Sequence, residues 1–209
     1  MKNYNIFNII YLTFRLGPLI VICFFLLQSL FNYDLRGIIY LCGLIIATIL
    51  SSVLGDIVGS GNDIFEGRSY RCNTLFLGAI PLTSGAIEPL SKIPLNVVVY
   101  SYTLAYLITG FTAPPVTYKN ALASLQQNMP ILILFPILLI FEAVWLLAHA
   151  CNYPMVIFMG ILVGIGAGIF WAFMMRMTKN PNIQYMSMGN IQVCSKPSKT
   201  IYRCRNIGH

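Results

Sequence analysis

The stretch Ala143–Met175, AVWLLAHACNYPMVIFMGILVGIGAGIFWAFMM, runs without a charged side chain. A bilayer core about 30 Å thick takes roughly 20 helical residues at 1.5 Å each. The run is too long for one crossing, and Asn152 and Pro154 mark a turn within it. It therefore reads as the end of one membrane helix and the whole of the next. A lone Glu142 separates it from a second uncharged run, Asn120–Phe141.

Working outward, the same arithmetic places spans at 16–33, 37–55, 94–113, 130–150 and 153–175. Segment 74–90 is apolar but carries Pro81, Gly85, Glu88 and Pro89, and reads as a sixth span or a re-entrant piece. The expected fold is an all-α membrane protein. A polytopic helical bundle of five to six transmembrane segments fills residues 1–175, and a basic tail follows over 176–209.

Composition supports this class. Hydrophobic residues make up 57% and charged residues 9%, against about 45–50% and 25% in soluble domains. Thirteen basic and six acidic side chains cannot cover a globular surface. Disorder is excluded for the opposite reason, because so apolar a chain does not stay solvated. The first span is longer than a signal-peptide core and lacks a small-residue cleavage site. Tyr33-Asp34-Leu35-Arg36 is short enough to make spans one and two an antiparallel hairpin. Pro130 suits a first helical turn, whereas Pro136 bends its helix or leans on a neighbour. No Asn-X-Ser/Thr acceptor occurs.

Small residues recur every four positions in two spans: Gly43, Ala47, Ser51 and Gly55, then Gly160, Gly164 and Gly168. That spacing puts them on one helical face, where another backbone approaches closely. The stripes serve either an oligomer interface or packing inside the bundle, and the second is the simpler reading. The intramembrane polar inventory is short. Glu142 is either a titrating proton or ion site, the mark of a small channel or transporter, or a packing residue bonded to Asn96, Tyr100 or Tyr102. His149 lies two turns away, about 10 Å, too far to bond Glu142 directly, and near the membrane interface.

Catalytic signatures are lacking. A phosphohistidine-type lipid phosphatase needs two histidines, and the chain has only His149 and His209. Asp34, Asp56 and Asp63 are too scattered for a metal-dependent phosphoalcohol transferase. No phosphate loop, His-Glu-X-X-His or Gly-X-Ser-X-Gly motif occurs. The mixed cluster Asp63, Glu66, Arg68 and Arg71 reads as a solvated loop. The sequence predicts neither an enzyme nor a bound cofactor or metal.

The tail holds Arg176, Lys179, Lys196, Lys199, Arg203 and Arg205 and no acid. Basic residues at membrane ends favour the cytoplasmic side. Such a tail rests on anionic lipid or docks on an acidic protein surface. Nucleic acid fits less well, because only Tyr202 interleaves with the basic residues. The amino end carries Lys2 and Arg15, so both ends inside requires an even number of spans; otherwise the amino end lies opposite. Residues 191–194 and 201–204 alternate about a turn containing Pro197, the pattern of a small β-hairpin in which Cys194 faces Cys204. Those two cysteines form either a disulfide, unusual in cytoplasm, or half of a zinc site.

The motif Cys194-Ser195-Lys196-Pro197-Ser198-Lys199…Cys204 resembles the tails of integral membrane proteins from nucleocytoplasmic large DNA viruses. Upstream, Asn120, Pro136, Glu142 with Trp145, Cys151, the glycines 160, 164 and 168, and Trp171 extend the similarity over residues 90–204. The resemblance implies a structural protein of the virion's internal membrane, placed in host membranes during assembly. Its implied partners are the lipid bilayer and the major or minor capsid proteins, with a homo-oligomer also possible. Such viruses encode thiol oxidases, which favours a Cys194–Cys204 disulfide.

Overall fold

The computed structural model describes residues 6–33, 35–59, 91–112, 126, 128–178, 192–195 and 203–206, with 6–15 and the last two stretches as backbone alone. The described residues form five helices: α1 (Ile6–Phe31), α2 (Arg36–Gly59), α3 (Leu95–Thr112), α4 (Met129–Ala148) and α5 (Pro154–Met177). The last four are long and apolar enough to cross a membrane, while the apolar part of α1 is the shorter Leu16–Phe31. The observed ends of α2–α5 lie within a few residues of the spans expected from charge spacing.

Local chemistry sets these boundaries. Proline stands in the first turn of both α4 and α5, where its missing N–H removes no helical hydrogen bond. Pro136 is accommodated inside α4 and Pro18 inside α1. At the end of α4 the Ala150 N–H bonds the Leu147 carbonyl and the Cys151 N–H bonds the Leu146 carbonyl, at 3.1 and 2.9 Å. Ala150 has φ 50°. That is a Schellman cap with alanine in the place glycine usually holds. Tyr33 adopts the same φ in the α1–α2 turn.

The core forms around α3, whose side chains are buried nearly all round. Helix α5 lies parallel to it. A Cβ on Gly160 would stand 3.1 Å from Ile93; on Gly164 it would meet the Ser101 hydroxyl and the Val98 carbonyl; on Gly168 it would meet the Tyr102 carbonyl and Ala105. Helix α2 runs antiparallel to α3, with Gly43 against Tyr102 and Trp171 and Gly55 against Ile93. Helix α1 folds back on α2, where Gly37 abuts the Phe25 carbonyl and Ser29. Both small-residue stripes are thus consumed inside one chain.

These directions define two ends. One gathers the start of α1, Gly59, Lys92 and the α4–α5 turn. The other gathers the α1–α2 turn, the end of α3, the start of α4 and the end of α5, where the tail departs. Segment 74–90 lies outside the described residues, but the chain on either side of it does not. A Cβ on Gly59 would stand 3.0 Å from Lys92 Nζ, so the end of α2 and the start of α3 lie at the same end of the bundle. The amino end of α1 lies opposite the end of α5, from which the tail departs.

In the tail, β1 (Gln192–Ser195) and β2 (Arg203–Asn206) pair antiparallel with Cys194 opposite Cys204. The connection between them lies outside the described residues.

The close α3–α5 approach is testable by two alanines. Gly164→Ala places a methyl against the Ser101 hydroxyl and the Val98 carbonyl, whereas Gly166 has nothing within 4 Å. Thermal unfolding in detergent should show Gly164→Ala destabilised by about 1–3 kcal/mol and Gly166→Ala unchanged within about 0.5 kcal/mol. Equal effects would mean that the contact does not limit stability.

Candidate functional site

Glu142 is buried and faces α3. Its Oε1 accepts a hydrogen bond from Asn96 Nδ2 at 3.0 Å. Asn96 belongs to the first turn of α3 and Glu142 lies about 9 Å along α4 from its last residue, Ala148. The pair therefore sits toward the end of the bundle that carries the α4–α5 turn. Tyr100 is within electrostatic reach of Glu142, and its hydroxyl packs on the backbone of Gly17. Tyr102 turns away to α2. Of the three partners expected for Glu142, Asn96 makes the bond.

His149 is separate from this pair. It is exposed and stacks on Trp145 with ring centroids 3.6 Å apart. Its Nδ1 lies 3.1 Å from the Trp145 carbonyl oxygen, which accepts a hydrogen bond when that nitrogen carries the proton. Glu142 is thus buried within α4, whereas His149, the C-cap at its end, is exposed.

A second polar layer lies between α2 and α3. The Thr103 hydroxyl donates to the Val99 carbonyl at 2.6 Å, using its one hydrogen. Tyr40, 2.5 Å from Thr103 Oγ1, must then donate to it. Tyr102 donates to the Tyr40 carbonyl at 3.2 Å, and Trp171 Nε1 to the Ile39 carbonyl at 3.1 Å. Tyr106 stacks on Tyr102 at 6.1 Å. The Ser51 hydroxyl is buried in the α2 stripe and has no hydrogen-bond partner among the described residues. This layer was not read from the sequence. Its signal was the spread of Asn, Ser, Thr and Tyr around every face of residues 96–106, which only a helix shielded from lipid tolerates.

The basic residues are placed less completely. Arg176 is half-buried in the last turn of α5, where a cation meets the negative end of the helix dipole. Arg203 and Arg205 belong to β2. Lys179, Lys196 and Lys199, like the loop residues Asp63, Glu66, Arg68 and Arg71, lie outside the described residues. Cys23 and Cys42 are free thiols exposed on α1 and α2. Cys151 is disulfide-bonded, a role not read from the sequence. Among the described residues, no three His, Cys, Asp or Glu side chains gather where they could hold a metal ion. Compared with protein-family models, curated proteins and solved structures, the chain matches none.

The Glu142–Asn96 bond generates a graded expectation. Glu142→Gln keeps size and hydrogen-bonding capacity and should leave unfolding in detergent nearly unchanged. Glu142→Leu strands the Asn96 amide and should cost roughly 1–3 kcal/mol. Adding Asn96→Leu should recover part of that loss, and a strictly additive double variant would show that the two side chains do not interact.

Proposed function

We propose that the protein is a non-enzymatic structural component of a virion's internal membrane, joining that membrane to the overlying capsid. The bundle is the anchor. Helix α1 adds a fifth crossing to the four long apolar helices, and the tail carries the contact with the coat. The observation that supports this reading best is the disposition of charge and polarity. The interior side chains that carry hydrogen-bonding groups are largely bonded to one another or to backbone carbonyls, and α5 delivers the basic tail to one end of the bundle. An anchor needs a rigid, self-satisfied interior. A conduit needs polar groups open to both ends, and Glu142 lies toward one end with its Oε1 bonded to Asn96. The viral assignment itself rests on the sequence resemblance.

In the tail, the β1–β2 ladder with its connection forms a hairpin, closed by a Cys194–Cys204 disulfide. An isolated two-stranded hairpin is marginal in water. A bridge around a loop of this length contributes about 2–3 kcal/mol in the chain-entropy model. The closed hairpin then presents Arg203 and Arg205 with the other basic residues to an acidic face of a capsid protein. The exposed isoleucines, leucines and phenylalanines of α2, α4 and α5 face lipid.

The deciding experiment is particle fractionation. Particles stripped of any outer envelope should retain the protein. A variant with Lys179, Lys196, Lys199, Arg203 and Arg205 replaced by Gln should still insert in membranes but be lost from stripped particles. Absence of the wild type from stripped particles sinks the proposal. Ion flux through proteoliposomes that Glu142→Gln abolishes would replace it with the transport reading.

A further inference from the structure

Helices α4 and α5 follow one another through a tight turn and each packs on α3, yet the two scarcely touch one another. Near the turn their side chains do meet: Val97 of α3, Leu146 of α4 and Ile157 of α5 are buried in one cluster with Cys151. Away from the turn that seam loosens. Val97, Leu104 and Ile108 are spaced by seven and four residues and share one face of α3. Along this face Val97 is 0% exposed, Leu104 is partly buried and Ile108 is 40% exposed, on a helix otherwise largely buried. On α5, Ile157, Ile161 and Ile165 share a face and follow the same gradient, from buried through partly buried to 36% exposed. The gap between α4 and α5 therefore widens with distance from their turn. It forms an apolar groove, floored by α3, that opens toward the end of the bundle from which the tail departs.

A cation stands at the mouth. Ile165, Ile169 and Arg176 are spaced by four and seven residues, which puts Arg176 on the flank of α5 that walls the groove. Arg176 is half-buried there. From Ile165 to Arg176 the helix rises about 16 Å. That matches the hydrocarbon depth of one leaflet, half of a core about 30 Å thick. The chain segments attached to this end carry Arg36, Lys119, Arg176, Lys179, Lys196, Lys199, Arg203 and Arg205 against a single acid, Asp34.

We propose that this groove binds an anionic phospholipid of the leaflet at the tail end, with an acyl chain against Leu104, Ile108 and Ile165 and the phosphate on Arg176. A guanidinium presents five N–H donors in a planar fork that pairs two phosphate oxygens, so Arg176 can hold a phosphate beside the contacts it makes within the chain. A zwitterionic lipid offers the same phosphate but adds an ammonium group, which the surrounding cations disfavour. A second copy of the chain fits the groove less well. A symmetric pair presents the same patch from both partners, and in a bilayer it would set two Arg176 side chains at one depth along the seam, where like charges repel. The site rests on the groove and Arg176 and is independent of the capsid role.

The test uses the full chain in non-ionic detergent micelles containing a trace of phosphatidylglycerol with a diazirine in one acyl chain. After illumination, the labelled residues are mapped by mass spectrometry. Any apolar surface receives some label, so Ile45 and Ile49, exposed on α2, set the background. Labelling at Ile108 and Ile165 should exceed that background about fivefold, the effect of one basic residue on an anionic lipid. Excess untagged phosphatidylglycerol should return it to background, and the same excess of phosphatidylcholine should not. Arg176→Gln should lose the enrichment and Arg176→Lys should keep part of it. Competition on the wild type decides the proposal even if these variants fold poorly. Groove labelling no higher than at Ile45 and Ile49, or equal competition by phosphatidylcholine, overturns the site. Displacement by inorganic phosphate alone overturns lipid as the ligand and leaves a phosphate site. An unlabelled groove in a chain that runs as a dimer overturns it in favour of a second copy.

Discussion

The approach of α3 to α5 is the contact on which the rest of the bundle depends. Two parallel helices come together so closely that Gly164 and Gly168 each leave no room for a methyl group between backbones. In lipid there is no hydrophobic drive for helices to associate, so dispersion contacts across such an interface supply much of the stability. Because the two helices are parallel, the chain must travel the length of the bundle between them. Helix α4 does this. Its end and the start of α5 therefore share a face with the start of α3, and the tail is committed to the opposite face.

That arrangement also makes α3 a shielded helix. Surrounded by α1, α2, α4 and α5, it can carry Asn96, Ser101, Thr103 and three buried tyrosines that would be expensive against hydrocarbon. Four of them bond locally or on an adjacent helix: Asn96 on Glu142, Thr103 on Tyr40, Tyr102 on the Tyr40 carbonyl, Ser101 on the Val97 carbonyl. The outer helices show the reverse pattern. Ile137, Ile140 and Val144 on α4, and Phe158, Leu162 and Phe170 on α5, are exposed because lipid covers them. The polarity of the bundle is inverted relative to a soluble protein, with the polar side chains inside and the apolar ones out.

Glu142 illustrates why an intramembrane carboxyl need not be a transport group. An acid facing lipid would be costly, and Glu142 instead faces a shielded helix with an amide to meet it. Its lone position on α4 makes the chain sensitive to which face of that helix turns inward. Rotating α4 about its axis would carry Glu142 toward lipid, so one buried bond contributes to the orientation of a helix that is otherwise nearly uniform in apolarity.

The sequence by itself determined that the chain crosses a membrane, where α2 to α5 begin and end, and that small residues line one face of α2 and of α5. Each of these follows from short-range facts: charge cannot enter hydrocarbon cheaply, proline opens helices, and residues four apart share a face. What the stripes pack against depended on which helices become neighbours, and tertiary structure alone decided that they meet α3 rather than a second chain. The partner of Glu142 and the bonded state of Cys151 were equally out of reach. A hydrogen bond or a disulfide joins residues distant in sequence, and no local pattern records which of several candidates the fold brings within reach.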